Sequence, residues 1–451
     1  MSLGLLLLCA GRGSRMRSDL PKVLHRVGGF PLYCHSLASA MTLTPDRVVL
    51  VTGVGAEMVT ASITEHGFDA ETVLQTEQLG TAHAVAQAKP VLNDFSGDTV
   101  VLYGDTPFIK SETLQAMQTA RGEHDVVVLG FRAADPGRYG RLIMKDNSLD
   151  RIVEFKDANA EERAIDLCNS GVMMADTQTL FDLVDAVGND NASGEYYLTD
   201  IVDLANARGL SCGVVQCDES ETLGINSRAE LAQAEEIFQA QRRSEALDNG
   251  STLVAPATVY FSHDTVIGRD TIIEPNVVFG PGVTVETGAT IRAFSHLEGC
   301  HVGGGAVVGP YARLRPGAEL EKDAKVGNFV EIKKATIGEG AKVNHLSYVG
   351  DASVGAKANI GAGTITCNYN GVEKFVTDIG EGAFIGSNTM LVAPVRVGSD
   401  AMTASGAIIT KDVPDGALAI SRSDQVIKPG TARRLFEMYK NAKEKRQKPK
   451  P

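Results

Sequence analysis

The 451-residue chain has no tryptophan, no C-x-x-C pair and no apolar run near the ~18 residues that cross a bilayer. The last absence excludes a helical membrane span. The seven cysteines (Cys9, Cys34, Cys168, Cys212, Cys217, Cys300 and Cys367) are scattered, which argues against zinc ribbons and disulfide scaffolds and suits a reducing cytoplasm. An excess of positive charge is also lacking. A net charge of −13 disfavours non-specific binding to nucleic acid. No Lys or Arg precedes the leucines of "GLLLLCAGRGSRM", so a secretory signal is not expected there. A short apolar run ending in a Gly-rich turn reads instead as a strand buried on both faces of a parallel sheet.

The chain then shows two different patterns. In the first half, apolar runs at Leu5–Leu8, Val48–Val51, Val100–Leu102 and Val126–Leu129 alternate with helical stretches such as Leu114–Ala120. That alternation predicts an open, largely parallel α/β sheet, with ligands bound outside the carboxyl ends of its strands. The segment Arg228–Ala246 has helical periodicity and no Gly or Pro, and Asn249-Gly250 ends it. Beyond it, large apolar residues recur every six positions: Ile267, Ile273, Phe279, Val285, Ile291, Leu297, then Val302 after a slip of one. Four residues after each sits a small or β-branched residue, with His301 as the exception. Even spacing places both on one face of an extended chain, and hexapeptides of this kind build a parallel β-helix of ~18 residues per coil. The domains expected are 1–227, a connecting helix over 228–250, and a β-helix over 251–451 whose basic tail, 433–450, forms a short helix with a frayed end. Nineteen residues separate Ile360 from Ile379, so the segment Thr366–Asp378 should loop out of the coil, where function tends to lie.

Chemistry-bearing residues cluster at particular places. Gly11-Arg12-Gly13-Ser14 follows the first strand, and such glycines let the backbone approach a phosphate. No GK[ST] follows, so this is not a P-loop. Arg15 and Lys22 add two cations nearby. Asp105, in "YGDTPF", lies just past an apolar strand, where it could cap a turn or supply a hard oxygen to Mg²⁺. In the repeat region His345 occupies a non-core slot, with Arg315 and Lys333 before it. A histidine is the natural base for acyl transfer to an amine, and two cations suit a sugar phosphate.

The motifs "LCAGRGSRM" with Pro21-Lys22, "LGTAHAV", "YGD", "RYGR", "VEFKD" and "NSG" resemble, in order, those of sugar-nucleotide pyrophosphorylases, with Ser14 where that family usually has Thr. With "YARLRPGAEL", "NFVEIKKA", "VNHLSYVGD", "NIGAGTITCNYNG" and "ALAISR" added, nearly the whole chain resembles the bacterial family that joins N-acetylglucosamine-1-phosphate uridyltransferase to glucosamine-1-phosphate acetyltransferase. The resemblance implies a Rossmann-like nucleotidyltransferase domain with a mixed, mostly parallel sheet, followed by a left-handed parallel β-helix. It implies that Leu8, Ala10 and Gly11 contact the uridine nucleotide, with Arg15 and Lys22 near its phosphates. Gln75, Gly80 and Thr81 would read the uracil. Tyr103, Gly104, Gly140, Glu154 and Asn169 would hold the sugar side, and Asp105 and Asn226 would bind Mg²⁺. From the residues alone, Asn226 could equally cap the following helix. On the second domain the resemblance makes His345 the base. Arg315, Lys333, Tyr348 and Asn359 would bind the sugar phosphate. Ala362, Asn368, Tyr369, Ser387, Ser405 and Arg422 would line the acetyl-CoA site. Asn370 stands where relatives often have Asp, and Ser405 where some have Ala.

The activity so implied is acetyl transfer from acetyl-CoA to glucosamine 1-phosphate, then uridylyl transfer from UTP with release of pyrophosphate. The product, UDP-N-acetylglucosamine, feeds peptidoglycan and lipopolysaccharide synthesis. The expected protein is a cytoplasmic homotrimer with small-molecule substrates and neither nucleic-acid nor membrane partners. Two other readings compete: a single-function nucleotidyltransferase with an assembly β-helix, and a scaffold with a decayed nucleotidyl domain. Asp105 with Lys22 counts against the scaffold, and His345 with the "CNYNG" loop against a bare assembly role.

Overall fold

The computed structural model describes residues 2–447 and divides them into two compact units. Among the described residues the first comprises 2–245 with a returning segment, Phe261–Asp264; the second comprises 246–260 and 265–447.

In the first unit the run Leu3–Cys9 is a strand buried at every position. Alternate side chains enter opposite cores: Leu6 and Leu8 join Val49, Val51 and Val101, while Leu5 and Leu7 join Leu50, Val100 and Leu102. This two-sided burial is what four consecutive leucines accomplish in a sheet covered on both faces. The sheet runs in the order Cys212–Cys217, Val126–Arg132, Leu167–Asp176, Asp98–Tyr103, Leu3–Cys9, Arg47–Thr52, Glu71–Leu74. Leu167–Asp176 is antiparallel to both neighbours, whereas the other pairings along this path are parallel. The sheet is therefore mixed and mostly parallel, with helices such as Ser111–Ala120 packed on it.

The helix expected over Arg228–Ala246 spans Arg228–Asp248. Gly250, at φ 88°, follows it and donates its N–H back to Leu247. Ala234 and Phe238 of this helix bury against Val27, Leu32, Phe108 and Ile225, so most of the helix packs as part of the first unit.

In the second unit, two- to seven-residue strands stack in parallel, most with a repeat of 17 or 18 residues, as in Ile273↔Ile291 and Leu320↔Ile337, widened to 25 where the hairpin is inserted, as in Val354↔Ile379. This is a parallel β-helix. Its interior is the predicted series: Ile273, Phe279, Val285, Ile291 and Leu297 are each 2% exposed or less, and only Ile267, at the outset, is half-buried. The slips have a physical form. Where the step between large residues shortens from six to five, the inward small residue comes three positions on. Cys300, Ala335 and Ala352 are buried, while His301, Thr336 and Ser353 turn outward. His301 breaks the small-residue pattern because its slot faces solvent.

The segment between Cys367 and Thr377 leaves the coil as a short hairpin, closed by a Tyr369↔Lys374 bridge. Asn370 Oδ1 accepts the Val372 and Glu373 N–H groups within it (2.9 and 2.8 Å). An Asp would accept the same pair. A last helix, Thr431–Gln447, is exposed along its described length. Residues 448–450 of the basic tail lie outside the described residues.

Candidate functional site

At the carboxyl ends of strands Leu3–Cys9 and Asp98–Tyr103 lies a cavity of about 350 Å³. Its wall includes Leu8, Ala10, Gly11, Lys22, Gln75, Gly80, Thr81, Tyr103 and Asp105 from the predicted set. Two glycines shape it. Gly13 has φ 57°, and a Cβ there would come 2.7 Å from Lys22 Cβ. The glycine loop can therefore fold directly onto the lysine that follows it. Gly80 has φ 125°, and its Cβ would fall 2.4 Å from the Tyr196 carbonyl. That contact, with the Tyr196 N–H donated to Leu79 (2.8 Å), fixes the Gln75–Thr81 edge of the cavity.

The Lys22 ammonium donates to the Asp105 carboxylate and, at 2.9 Å, to Asn226 Oδ1. Asn226 is not the helix cap: Ser227 Oγ accepts the Glu230 N–H at 3.3 Å. The Asn226 backbone is tied to Glu230 (2.7 Å), and the adjacent Ile225 N–H to the Asp105 carbonyl (2.9 Å). Two hard oxygens thus converge on one cationic point, the donor set that suits a divalent ion such as Mg²⁺.

Gly140, Glu154 and Asn169 stand together, since a Cβ on Gly140 would be 3.4 Å from Glu154 Oε1 and 3.6 Å from Asn169 Cβ. They adjoin the cavity through Tyr103. Burial pushes the Tyr103 phenol above its ordinary range, and the Asp105 and Glu154 carboxylates add to the shift. Burial likewise raises Glu154. Gly104 lies beneath the floor, where a Cβ would meet Cys9 Sγ at 2.6 Å. Arg15 is exposed on the turn Ser14–Met16 and does not reach the wall, whereas Arg12 does. Gln78 also lines the cavity, its amide donating to the Ala10 carbonyl at 2.9 Å. Arg12 carries no sequence signal beyond its place in the glycine loop, and Gln78, just before the "LGTAHAV" motif, carries none.

On the β-helix, His345 Nδ1 pairs with Asn328 Oδ1 at 2.8 Å, across adjacent coils in register. Asn328 accepts the Nδ1 proton and leaves Nε2 as the free lone pair. The predicted acetyl-CoA residues continue in single file from this histidine. The His345 carbonyl accepts from Gly363, that of Ala362 from Asn388, and that of Ser387 from Gly406 (3.1, 2.7 and 2.8 Å). Arg422 Nη1 donates to the Ser405 carbonyl at 3.0 Å. His345, Ala362, Ser387 and Ser405 therefore occupy one position on four successive coils. At ~4.8 Å per coil the file is ~14 Å long.

The sugar-phosphate candidates form a different group. Arg315 pairs with Glu331 at 2.8 Å. Lys333 lies level with Gly350, over which the Tyr348 ring folds. Asn368 donates to Asp351 and lies 3.5 Å from Tyr348 Oη. Lys374, which the sequence reading passed over, stands against Lys333, and that neighbouring amine lowers its ionisation below the ordinary lysine range. Two amines side by side mark a place for an anion. Among the described residues no hydrogen bond or ion pair joins this group to His345. Asn359 sits in its strand one coil after Lys342. Tyr369 is 58% exposed on the hairpin.

A cavity at strand ends in one unit and a parallel β-helix in the other define a transferase with two centres. The first half matches the MobA-like NTP transferase domain over residues 5–169, and residues 264–299 match the bacterial transferase hexapeptide (six repeats). The chain is 64% identical over 443 residues to bifunctional protein GlmU of Ruegeria sp. (strain TM1040), covering 98% of this chain and 99% of that one. It is 61% identical over 446 residues to the GlmU of Jannaschia sp. (strain CCS1), covering 99% and 98%. A solved inositol-1-phosphate CTP transferase from T. maritima is similar over 52% of this chain and 94% of its own, with 20% identity and a TM-score of 0.43. The chain belongs to the GlmU family of bifunctional enzymes, with acetyltransferase and uridyltransferase activity in UDP-N-acetylglucosamine synthesis.

Proposed function

We propose that the two reactions divide between the two units as follows. The cavity of the first unit takes UTP and N-acetylglucosamine 1-phosphate, with Mg²⁺ held by Asp105 and Asn226. The observation that carries this is the Lys22 ammonium lodged between those two oxygens, a cationic point that a divalent ion and the substrate phosphates would share. When bound, Mg²⁺ supplies charge neutralisation on the phosphate oxygens. Leu8, Ala10 and Gly11 pack the nucleoside, Gln75, Gly80 and Thr81 read the base, and Lys22 and Arg12 draw the phosphates. Gly140, Glu154 and Asn169, with Tyr103, hold the sugar. An oxygen of the sugar phosphate then attacks the α-phosphorus, and the bond to pyrophosphate breaks. Such a transfer depends on alignment and charge, with no side-chain nucleophile.

The β-helix carries the acetyl transfer. The amine of glucosamine 1-phosphate attacks the thioester carbonyl of acetyl-CoA while His345 Nε2 takes the amine's proton. Coenzyme A leaves as its thiolate and is protonated. Ala362, Ser387, Ser405 and Arg422 form the donor's track, with Asn368 and Tyr369 on the hairpin side. Arg315, Lys333, Tyr348 and Asn359 take the sugar phosphate, joined by Lys374.

The reading includes a homotrimer, with the base and part of the acetyl-CoA wall contributed by different chains. A stripe of apolar side chains beside His345 supports it. Phe294, Tyr311 and Phe329 stack with centroids 4.9 and 5.1 Å apart. They and Leu346 are 47–63% exposed at φ between 52° and 60°. Non-glycine residues cost about 1 kcal/mol or more each in this conformation. Gly363 and Gly406 fill equivalent corners at φ 74° and 76°. Aromatic rings held there against the backbone's preference suit contact with a second copy. The reading places the enzyme in the cytoplasm, where its thiols stay reduced. Paired assays test the division: coenzyme A thiol released from acetyl-CoA with glucosamine 1-phosphate, and pyrophosphate released from UTP with N-acetylglucosamine 1-phosphate.

A further inference from the structure

Gln75 is 4% exposed, and its side-chain amide ends in the nucleotide cavity. Its Nε2 has two partners, the Gly80 carbonyl at 3.2 Å and His83 Nδ1 at 3.0 Å. The Gly80 oxygen can only accept, so the nitrogen end of the amide must face that side. His83 Nδ1 must then present its lone pair to the second amide hydrogen. That places the imidazole proton on Nε2, toward Gln87. The Gln87 amide nitrogen donates to the His83 carbonyl at 3.0 Å and lies 3.2 Å from that Nε2, where it faces the ring proton as a second donor; of the two amides on the imidazole, Gln75 at 3.0 Å is the nearer and the one the ring accepts. Both Gln75 hydrogens are thus engaged, and the end left for a ligand is the acceptor Oε1.

We infer that His83 is a positioning residue for pyrimidine selection: by accepting from Gln75 Nε2 it fixes Oε1 toward the base, where an N3–H is accepted and a bare N3 is repelled. Uracil presents a donor at N3, and cytosine presents a lone pair there. A buried site built to meet a donor rejects the analogue lacking it strongly, because the site's own polar atom is then left unpaired. Without His83 the 3.2 Å bond to Gly80 alone sets the amide's orientation, and giving up that single bond lets the amide turn its nitrogen toward the cavity, where it would serve cytosine as well. His83 itself does not line the cavity. It acts through Gln75 from the helix Thr81–Ala86, one turn past the Gly80 corner. The inference rests on the reading of Gln75 as a base-reading residue.

The test compares kcat/KM for UTP and CTP in the full-length enzyme. In His83→Ala, which suits a helix interior, the UTP-over-CTP ratio should fall at least about tenfold, the worth of one well-placed hydrogen bond. His83→Leu should do the same and serves if the alanine variant misfolds. His83→Asn returns an acceptor oxygen near the Nδ1 position, and its ratio should stay within about threefold of wild type. Turnover of UTP, with thermal unfolding of the first unit followed by circular dichroism, reports that each variant is folded. If His83→Ala and His83→Leu keep the wild-type ratio while Gln75→Leu collapses it, Gln75 reads the base without help and the inference is wrong. If Gln75→Leu also leaves the ratio unchanged, the base-reading role of Gln75 fails and the inference falls with it.

Discussion

The Lys22 ammonium rests on the Asp105 carboxylate although 82 residues of chain intervene between them, and Asn226 meets the same amine from the start of the helix region. One side chain thus gathers the glycine loop, the end of the strand Asp98–Tyr103 and the start of the helix Arg228–Asp248. Mg²⁺ at Asp105 and Asn226 should stabilise the folded enzyme by mass action. Thermal unfolding should therefore shift upward with added Mg²⁺ in the wild type. The shift should vanish in Asp105→Asn, which keeps volume and removes the charge. An equal shift in both proteins would put the ion elsewhere.

His345→Ala should slow acetyl transfer by roughly 10²–10⁴-fold, the usual worth of a positioned base, with uridylyl transfer unchanged. Asn328→Ala removes the acceptor that holds the imidazole. It should slow acetyl transfer by about tenfold or more. A loss below about tenfold in His345→Ala, with an unaltered pH profile, would assign the proton to another group.

Phe329→Asp places a charge in the middle of the aromatic stripe. Sedimentation should show the proposed trimer dissociating, and acetyl transfer should fall with it while uridylyl transfer persists. A monomeric variant with full acetyl transfer would show that the site is complete within one chain.

The first unit should lose stability in mild acid. Burial depresses His35 to about 4 and also lowers His263, whose ring stacks on Phe30 at 3.9 Å. His35 Nε2 bonds to the Val27 carbonyl at 2.9 Å. The unfolded chain binds protons near pH 6.5 that the folded one refuses. Stability is therefore full above that pH and declines as pH falls from 6.5 toward 4. Chemical denaturation of the isolated first unit, taken to residue 264, should show this slope, and His35→Gln should flatten it. The same unit cut at residue 227 should be less stable at every pH, since it loses Ala234 and Phe238 from their cluster.

Much of this architecture could be read from spacing. Period six identifies the β-helix because only a coil with three short faces repeats its interior that way. Leu5–Leu8 read as a two-faced strand because no amphipathic element tolerates four leucines in a row. The inserted antiparallel strand Leu167–Asp176 carries no such mark, since hydrophobic alternation is the same whichever way a strand runs. Site residues followed the same division. Glycine and acidic residues at strand ends announce themselves. Asn226, Ser227, His83 and Asn328 do not, because their roles depend on which polar atom turns toward which partner. Lys374 was hidden because it meets Lys333 only through the fold of the hairpin. The file from His345 to Arg422 is a property of coil register, and the shortened coils hide that register from a fixed period.

The central claim is that two independent centres act in sequence on one chain. It is tested most directly by supplying glucosamine 1-phosphate, acetyl-CoA, UTP and Mg²⁺ and measuring UDP-N-acetylglucosamine. Asp105→Asn alone should accumulate the acetylated sugar phosphate, and His345→Ala alone should accumulate nothing. The two mixed should restore synthesis of the nucleotide sugar, because the intermediate is released by one variant and taken up by the other. A mixture no more active than either variant alone, with both proteins folded, would contradict the account.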